Sequence, residues 1–125
     1  RAVATSAVRE AKNKDEFIDL IKRETGIELE VVSGVEEARL ISLGVIHALP
    51  ILEEKALIID IGGGSTETII TENGEMLHLQ SNKLGAIRLT KKYFDGVPSN
   101  EESIAKCKKF IKGEWAQTLD RIEGV

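Results

Sequence analysis

The sequence predicts an α/β fold, on three observations. Two β-branched segments, Ala2 to Ser6 and Ile27 to Val32, are separated by helix-forming composition. A continuous apolar run from Ala56 to Ile61, interrupted by one acid at Asp60, is followed by three glycines and further strand-like segments. Helical patterning then returns from about Ala86. A chain of 125 residues has room for one domain or two partial ones. Its 42% hydrophobic and 30% charged content is that of a folded globular chain, not a disordered one.

Ala2 to Ser6 reads as a short strand, and Ala7 to Asn13 as a helix that Thr5 or Ser6 can cap. That cap places Arg9 in the first turn. Asn13 with Glu16 marks a second helix start, Phe17, Ile18 and Ile21 form its apolar stripe, and Gly26 stops it. Ile27 to Val32 reads as a strand. Ser33-Gly34-Val35-Glu36 fits a capping box, opening a helix to about Leu49 that is apolar on most sides. Pro50 closes it.

Ala56 to Ile61 suits a strand buried on both faces. Ser65 to Thr71 and Met76 to Ser81 flank Asn73-Gly74, the strongest hairpin signal in the chain. These three segments predict an antiparallel meander. Helices are expected near Ala86 to Phe94 and Ser99 to Arg121, the second introduced by Pro98-Ser99-Asn100. The pattern changes from strand–helix alternation to meander near residues 50–55, so a boundary is expected there.

Composition excludes several function classes. The balance of 17 basic against 21 acidic residues gives a net charge of -4, and only 4% of residues are aromatic. Neither suits a nucleic-acid partner, which wants a clustered positive face or stacking rings. No apolar run approaches the roughly 20 residues of a membrane span, so no membrane partner is expected. Cys107 stands alone, without a disulfide partner or metal-ligand spacing, which predicts a reducing, cytoplasmic setting. Basic residues cluster at Lys83, Arg88, Lys91 and Lys92, and again at Lys106, Lys108, Lys109 and Lys112. The second cluster reads as a solvated helix face. A polyanionic substrate would therefore be drawn in by a local site rather than by the whole molecule.

The strongest chemical signal is Asp60-Ile61-Gly62-Gly63-Gly64-Ser65-Thr66-Glu67. Consecutive glycines allow a tight turn whose amide hydrogens converge as an anion nest, with no side chain in a phosphate's way. Ser65 adds a hydroxyl at the rim, and Thr66 follows it. Asp60 and Glu67, at the two strand ends, are hard carboxylates suited to Mg2+ beside a phosphate. His47 and His78 have no partner nearby in sequence and read as structural.

Four blocks together resemble one family. They are Ala4 to Ala11 (ATSAVREA), Val32 to Leu40 (VSGVEEARL), Ile59 to Glu67 and Ser81 to Leu89 (SNKLGAIRL). In that order and spacing they are similar to the exopolyphosphatases and guanosine pentaphosphate phosphatases, enzymes of the actin-like ATPase (ribonuclease H-like) fold. The resemblance implies a hydrolase that releases terminal phosphate from inorganic polyphosphate or from guanosine pentaphosphate. It implies that Glu37 activates the attacking water, that Arg9 contacts substrate phosphate, and that Gly62, Gly63, Gly64, Ser65 and Thr66 hold phosphate. It gives Asp60 and Glu67 the divalent metal, Mg2+ or another. Arg39 and Arg88 have weaker claims, each equally explained by a structural ion pair.

On the same resemblance, residues 1–52 end a first actin-like lobe and 53–125 begin a second, with the site in the cleft between them. The strand-like start at Arg1 and the lack of the family's first phosphate motif predict part of a longer protein. A homodimer is expected at full length, and truncated sheet edges would invite self-association. Two other readings stay open: an ATP-binding domain like those of sugar kinases and chaperones, and a non-catalytic phosphate- or nucleotide-sensing module.

Overall fold

Strand β1 (Ala2–Ala4) lies parallel to β2 (Leu29–Val31), with Ala2 opposite Leu29 and Ala4 opposite Val31. In the computed structural model, which describes residues 1–95 and 100–122, two short helices make that crossover. The first, α1 (Ser6–Arg9), is a single turn, and the second, α2 (Lys14–Thr25), follows after a break. The helix expected from Ala7 to Asn13 is therefore cut short to one turn, and Arg9 is its last residue. Neither Thr5 nor Asn13 bonds its helix start through its side chain, so hydroxyl capping does not account for Thr5 or Ser6. Gly26 ends α2 at φ 72°, the left-handed conformation expected of it.

Helix α3 (Gly34–Ala48) opens on Ser33, whose side chain accepts from the Glu36 amide at 3.1 Å. Only half of the expected capping box forms. The Glu36 carboxylate turns instead to Arg39, which donates from Nε and Nη2 at 2.7 Å each and holds the acid below its ordinary pKa range. Strands β3 (Ala56–Ile61), β4 (Thr66–Glu72) and β5 (Glu75–Asn82) form the antiparallel meander, in the order β3-β4-β5. Asn73 and Gly74 make its second turn at φ 51° and 77°, as the dipeptide demands.

Helix α3 packs on one face of this meander. Ala38, Ile58 and Ile69 are buried together, with Ile41, Val45, Ile51 and Leu79 against them. The core thus joins the two halves of the chain across residues 50–55. A register shift at Ile70/Thr71 leaves Leu77 unpaired, so Ile69 faces Leu79 and Glu67 faces Ser81. That bulge puts Ser81 on the α3 side.

The burial expected of β3 needs correction. Strand β3 lies at the sheet edge, and Leu57, Ile59 and Ile61 are 58%, 46% and 69% exposed. The strand enclosed on both sides is β4, whose residues from Thr66 to Thr71 are all buried. Helix α3, although apolar on most sides, leaves Val35 exposed, as it does Leu49 just past its end.

Helices α4 (Ala86–Tyr93) and α5 (Glu101–Ile122) complete the described chain. Helix α5 reaches β5 through Thr118, whose hydroxyl accepts from Gln80 at 2.9 Å and Asn82 at 2.8 Å. Asn100 opens α5, accepting from the Ser103 amide at 2.9 Å. Pro98 and Ser99, expected to introduce it, lie outside the described residues. No helix among the described residues is long and apolar enough to cross a membrane.

Candidate active site

A cleft of about 550 Å3 separates two differently built walls. Thr5, Ser6 and Glu37 line one side, and Gly62, Gly63, Gly64, Ser65 and Arg88 line the other. Its size is that of a small-molecule site.

The first wall is organised by charge. Arg9 Nη1 donates to the Val32 carbonyl at 2.8 Å and to Glu37 Oε2 at 3.1 Å. The parallel pairing of β1 with β2 makes this possible, because it brings the chain just after β1 beside the end of β2. Both side chains are mostly buried, at 23% and 14% exposed. Glu37 lies in the first turn of α3, where the helix dipole favours a carboxylate. Arg9 does not line the cleft itself; it grips Glu37 from behind. This ion pair orients the glutamate.

The second wall is organised by backbone. None of Gly62, Gly63 and Gly64 has a positive φ, so left-handed turn geometry is not why they are glycines. Close approach is the reason. A β-carbon on Gly64 would collide with Ser6, and one on Gly63 would meet Ile87 at 3.0 Å. The loop's carbonyls are all engaged: Gly62 O accepts from the Ala86 amide at 2.8 Å, and Gly63 O from the Arg88 amide at 3.1 Å. Gly64 O accepts from Arg88 Nε at 2.7 Å. The amides of Gly63, Gly64 and Ser65 donate to nothing else among the described residues. Carbonyls are tied down on one side, and donors are left free on the other. This is the polarity an anion needs.

Behind the loop, Asp60 and Glu67 stand opposite each other on β3 and β4. Glu67 is 1% exposed; its Oε1 accepts from Ser81 at 2.7 Å, and its Oε2 is buried with no partner. Asp60 is exposed and lines a side cavity of about 320 Å3 with Thr5 and Glu37. The walls are tied together by Glu10. It accepts from Arg88 Nη2 at 2.7 Å and lies 3.3 Å from Lys83 Nζ.

Residues 1–124 match the Ppx/GppA phosphatase family. The chain belongs to the Ppx/GppA phosphatase family. It is 36% identical to a guanosine-5'-triphosphate,3'-diphosphate pyrophosphatase of Pseudoalteromonas atlantica, covering 95% of this chain and 26% of that protein. It is also 36% identical to exopolyphosphatase 1 of Mycobacterium leprae, covering 90% of this chain and 33% of that one. The crystal structure of an exopolyphosphatase from Cytophaga hutchinsonii superposes with a TM-score of 0.90 at 36% identity, over 98% of this chain and 39% of that one. The chain thus takes the α/β fold of the Ppx/GppA enzymes. The chain spans roughly a third of the length of these relatives (26–39%).

Within this Ppx/GppA chain the expected site residues divide. Glu37, Gly62, Gly63, Gly64 and Ser65 meet at the cleft. Arg9, Asp60 and Glu67 stand one layer back. Thr66 does not join the phosphate loop: its hydroxyl is buried in β4 and donates to the Leu84 carbonyl at 3.0 Å. His47 is exposed at the end of α3, and the Nε2 of His78 is buried without a partner on β5. No group of three or more His, Cys, Asp or Glu lies at metal-holding distance among the described residues. Two carboxylates remain compatible with Mg2+, which takes one or two and fills its shell with water and phosphate oxygens. The orphaned Glu67 Oε2 fits such a role, since a buried carboxylate oxygen is costly to leave unpaired.

Three residues without an assigned part in the sequence prove structural to the site: Glu10, Ser81 and Gly85. A β-carbon on Gly85 would collide with the backbone of Gly63 and Gly64, so that glycine seats α4 against the loop. All three lie in blocks that carry the resemblance, but only the folded geometry reveals what each touches.

Proposed function

We propose that this chain carries the catalytic centre of a phosphoanhydride hydrolase. Its substrate is inorganic polyphosphate, guanosine pentaphosphate or both, and water takes the terminal phosphoryl group. The observation that carries the reading is the cleft itself: a carboxylate held by Arg9 faces a loop with unclaimed amides. The free amides of Gly63, Gly64 and Ser65 bind the terminal phosphate and stabilise the charge that develops on its oxygens. Glu37 orients the attacking water and accepts its proton at the carboxylate. Arg9 keeps that carboxylate pointed across the cleft and, through the same guanidinium, balances its charge.

Asp60 and Glu67 are the residues that would hold Mg2+. When bound, the ion neutralises phosphate charge and polarises the P–O bond. Ser81 fixes one oxygen of Glu67 and leaves the other available.

The same reading makes residues 1–52 the end of one actin-like lobe and 53–125 the start of the next, with α3 as the packed joint between them. Cytoplasmic residence is supported by the lone Cys107, and homodimer formation by the open β3 edge with its apolar row. The test is phosphate release by the full-length protein in Mg2+, with long-chain polyphosphate and guanosine pentaphosphate assayed side by side. Release from at least one is expected; release from neither overturns the proposal.

A further inference from the structure

Outside the assigned residues, Arg88 is held at several points at once. Its backbone amide holds Gly63 O at 3.1 Å, its Nε holds Gly64 O at 2.7 Å, and its Nη2 holds Glu10 at 2.7 Å. Glu10 belongs to one wall and Gly64 to the other. A surface ion pair alone would be worth little, because long side chains lose entropy to keep one geometry. Arg88 differs in being fixed at three points along its length, with the side chain still 32% exposed.

The placement of the two charges is what points to a ligand. Arg88 lines the main cleft beside the glycine loop, whereas Glu10 lines a smaller cavity behind it with Arg9 and Ser33. The carboxylate therefore holds the guanidinium from the rear and does not confront an anion in the cleft. A guanidinium carries five N–H donors in a rigid fork. The Nε donor goes to Gly64, one Nη2 donor goes to Glu10, and Nη1 is bound to nothing among the described residues. Those unused donors stand beside the free amides of Gly63, Gly64 and Ser65. Lys83, 3.3 Å from Glu10, adds a second cation on the rear side.

We infer that Arg88 is a phosphate-binding residue of the cleft and that Glu10 is its positioning residue. This rests on the phosphohydrolase reading and deepens it. The phosphoryl group would be met by backbone amides and by one pre-aimed arginine fork, a geometry suited to planar, bidentate contact with two phosphate oxygens. Pre-organisation by Glu10 lowers the entropy that Arg88 would otherwise lose on binding. The arginine would thus be ready before substrate arrives.

The experiment measures binding of inorganic tripolyphosphate in Mg2+ by titration calorimetry, on the intact protein, with kcat and KM from phosphate release alongside. Arg88→Ala is expected to weaken tripolyphosphate binding by about tenfold or more, and Arg88→Lys to restore only part of it. Glu10→Gln is expected to weaken binding by about threefold, chiefly in KM, and to have no further effect in the Arg88→Ala background. A purely structural pair gives the opposite pattern: Tm falls while tripolyphosphate binding and KM stay unchanged, and that result overturns the inference. Additive effects of the two substitutions on binding would equally overturn the positioning role of Glu10. If the unsubstituted protein neither binds tripolyphosphate nor releases phosphate, the parent reading fails instead, so the two failures are distinguishable.

Discussion

The two walls of the cleft reach a common task by different physics. On the first wall a side chain is aimed by another side chain: Arg9 holds Glu37 at 3.1 Å and anchors itself on the Val32 carbonyl. On the second wall the backbone presents free amides, and glycines are present because a neighbour occupies the space of their side chains. Charge on the first wall can be removed without moving the chain. On the second wall an added carbon meets a neighbour at once: a side chain at Gly63 and Gly64, and the loop backbone itself at Gly85. Substitutions on the first wall should therefore cost activity first, and those on the second should cost structure first.

The largest expected break is Gly85→Ala. The added carbon has no flexible neighbour to displace, only the Gly63 and Gly64 backbone. A loss of about 3 kcal/mol in chemical denaturation is expected, together with loss of phosphate binding. Gly64→Ala, which meets the Ser6 side chain instead, is expected to cost less. Equal costs would break the distinction between backbone and side-chain collisions.

On the first wall, Arg9→Met should lower kcat by about 100-fold through misplacement of Glu37, with about 1–3 kcal/mol lost from the unpaired carboxylate. Steady-state kinetics and thermal unfolding check both, and activity should fall proportionately more than stability. Ser33→Ala removes the α3 cap and should cost about 1 kcal/mol in stability, with kcat within a few-fold. A large drop in kcat would mean that the cap, not Arg9, orients Glu37.

The smallest effect is the tie between the walls. Arg88 foremost, and then Lys83, hold the Glu10 carboxyl below its ordinary range. A depressed carboxylate contributes stability above its unfolded pKa and loses it as pH falls through the folded one. The stability difference between the unsubstituted protein and Glu10→Gln should therefore be full near neutrality. It should shrink once pH falls below about 4.3, the ordinary glutamate value. Matched urea titrations across that range provide the check.

Much of this arrangement was legible in the residues. Asn73-Gly74 specified its turn, because only two positive φ angles close that hairpin and few residues accept them. The blocks around Glu37 and the three glycines pointed to the cleft, and the fold places them on facing sides. Less was legible where the outcome depends on partners distant in sequence. The apolar run of β3 reads as doubly buried, yet burial is decided by which strand lies at the edge and where α5 sits. Thr66 reads as part of the phosphate loop, but its hydroxyl is claimed by Leu84, 18 residues on. Glu10 gave no sign of bridging the walls, because Arg88 lies 78 residues away. The capping box half-failed for a local reason, since Arg39 offers Glu36 two charged donors against one amide.

Glu37→Gln decides whether a side chain on one wall acts on a phosphate held by the backbone of the other. Phosphate release and tripolyphosphate binding should be measured on the same protein in Mg2+. Release is expected to fall about 100- to 10,000-fold, with binding retained within a few-fold because the amides of Gly63, Gly64 and Ser65 are untouched. Unchanged release, or loss of binding in step with release, would contradict the division of labour between the walls.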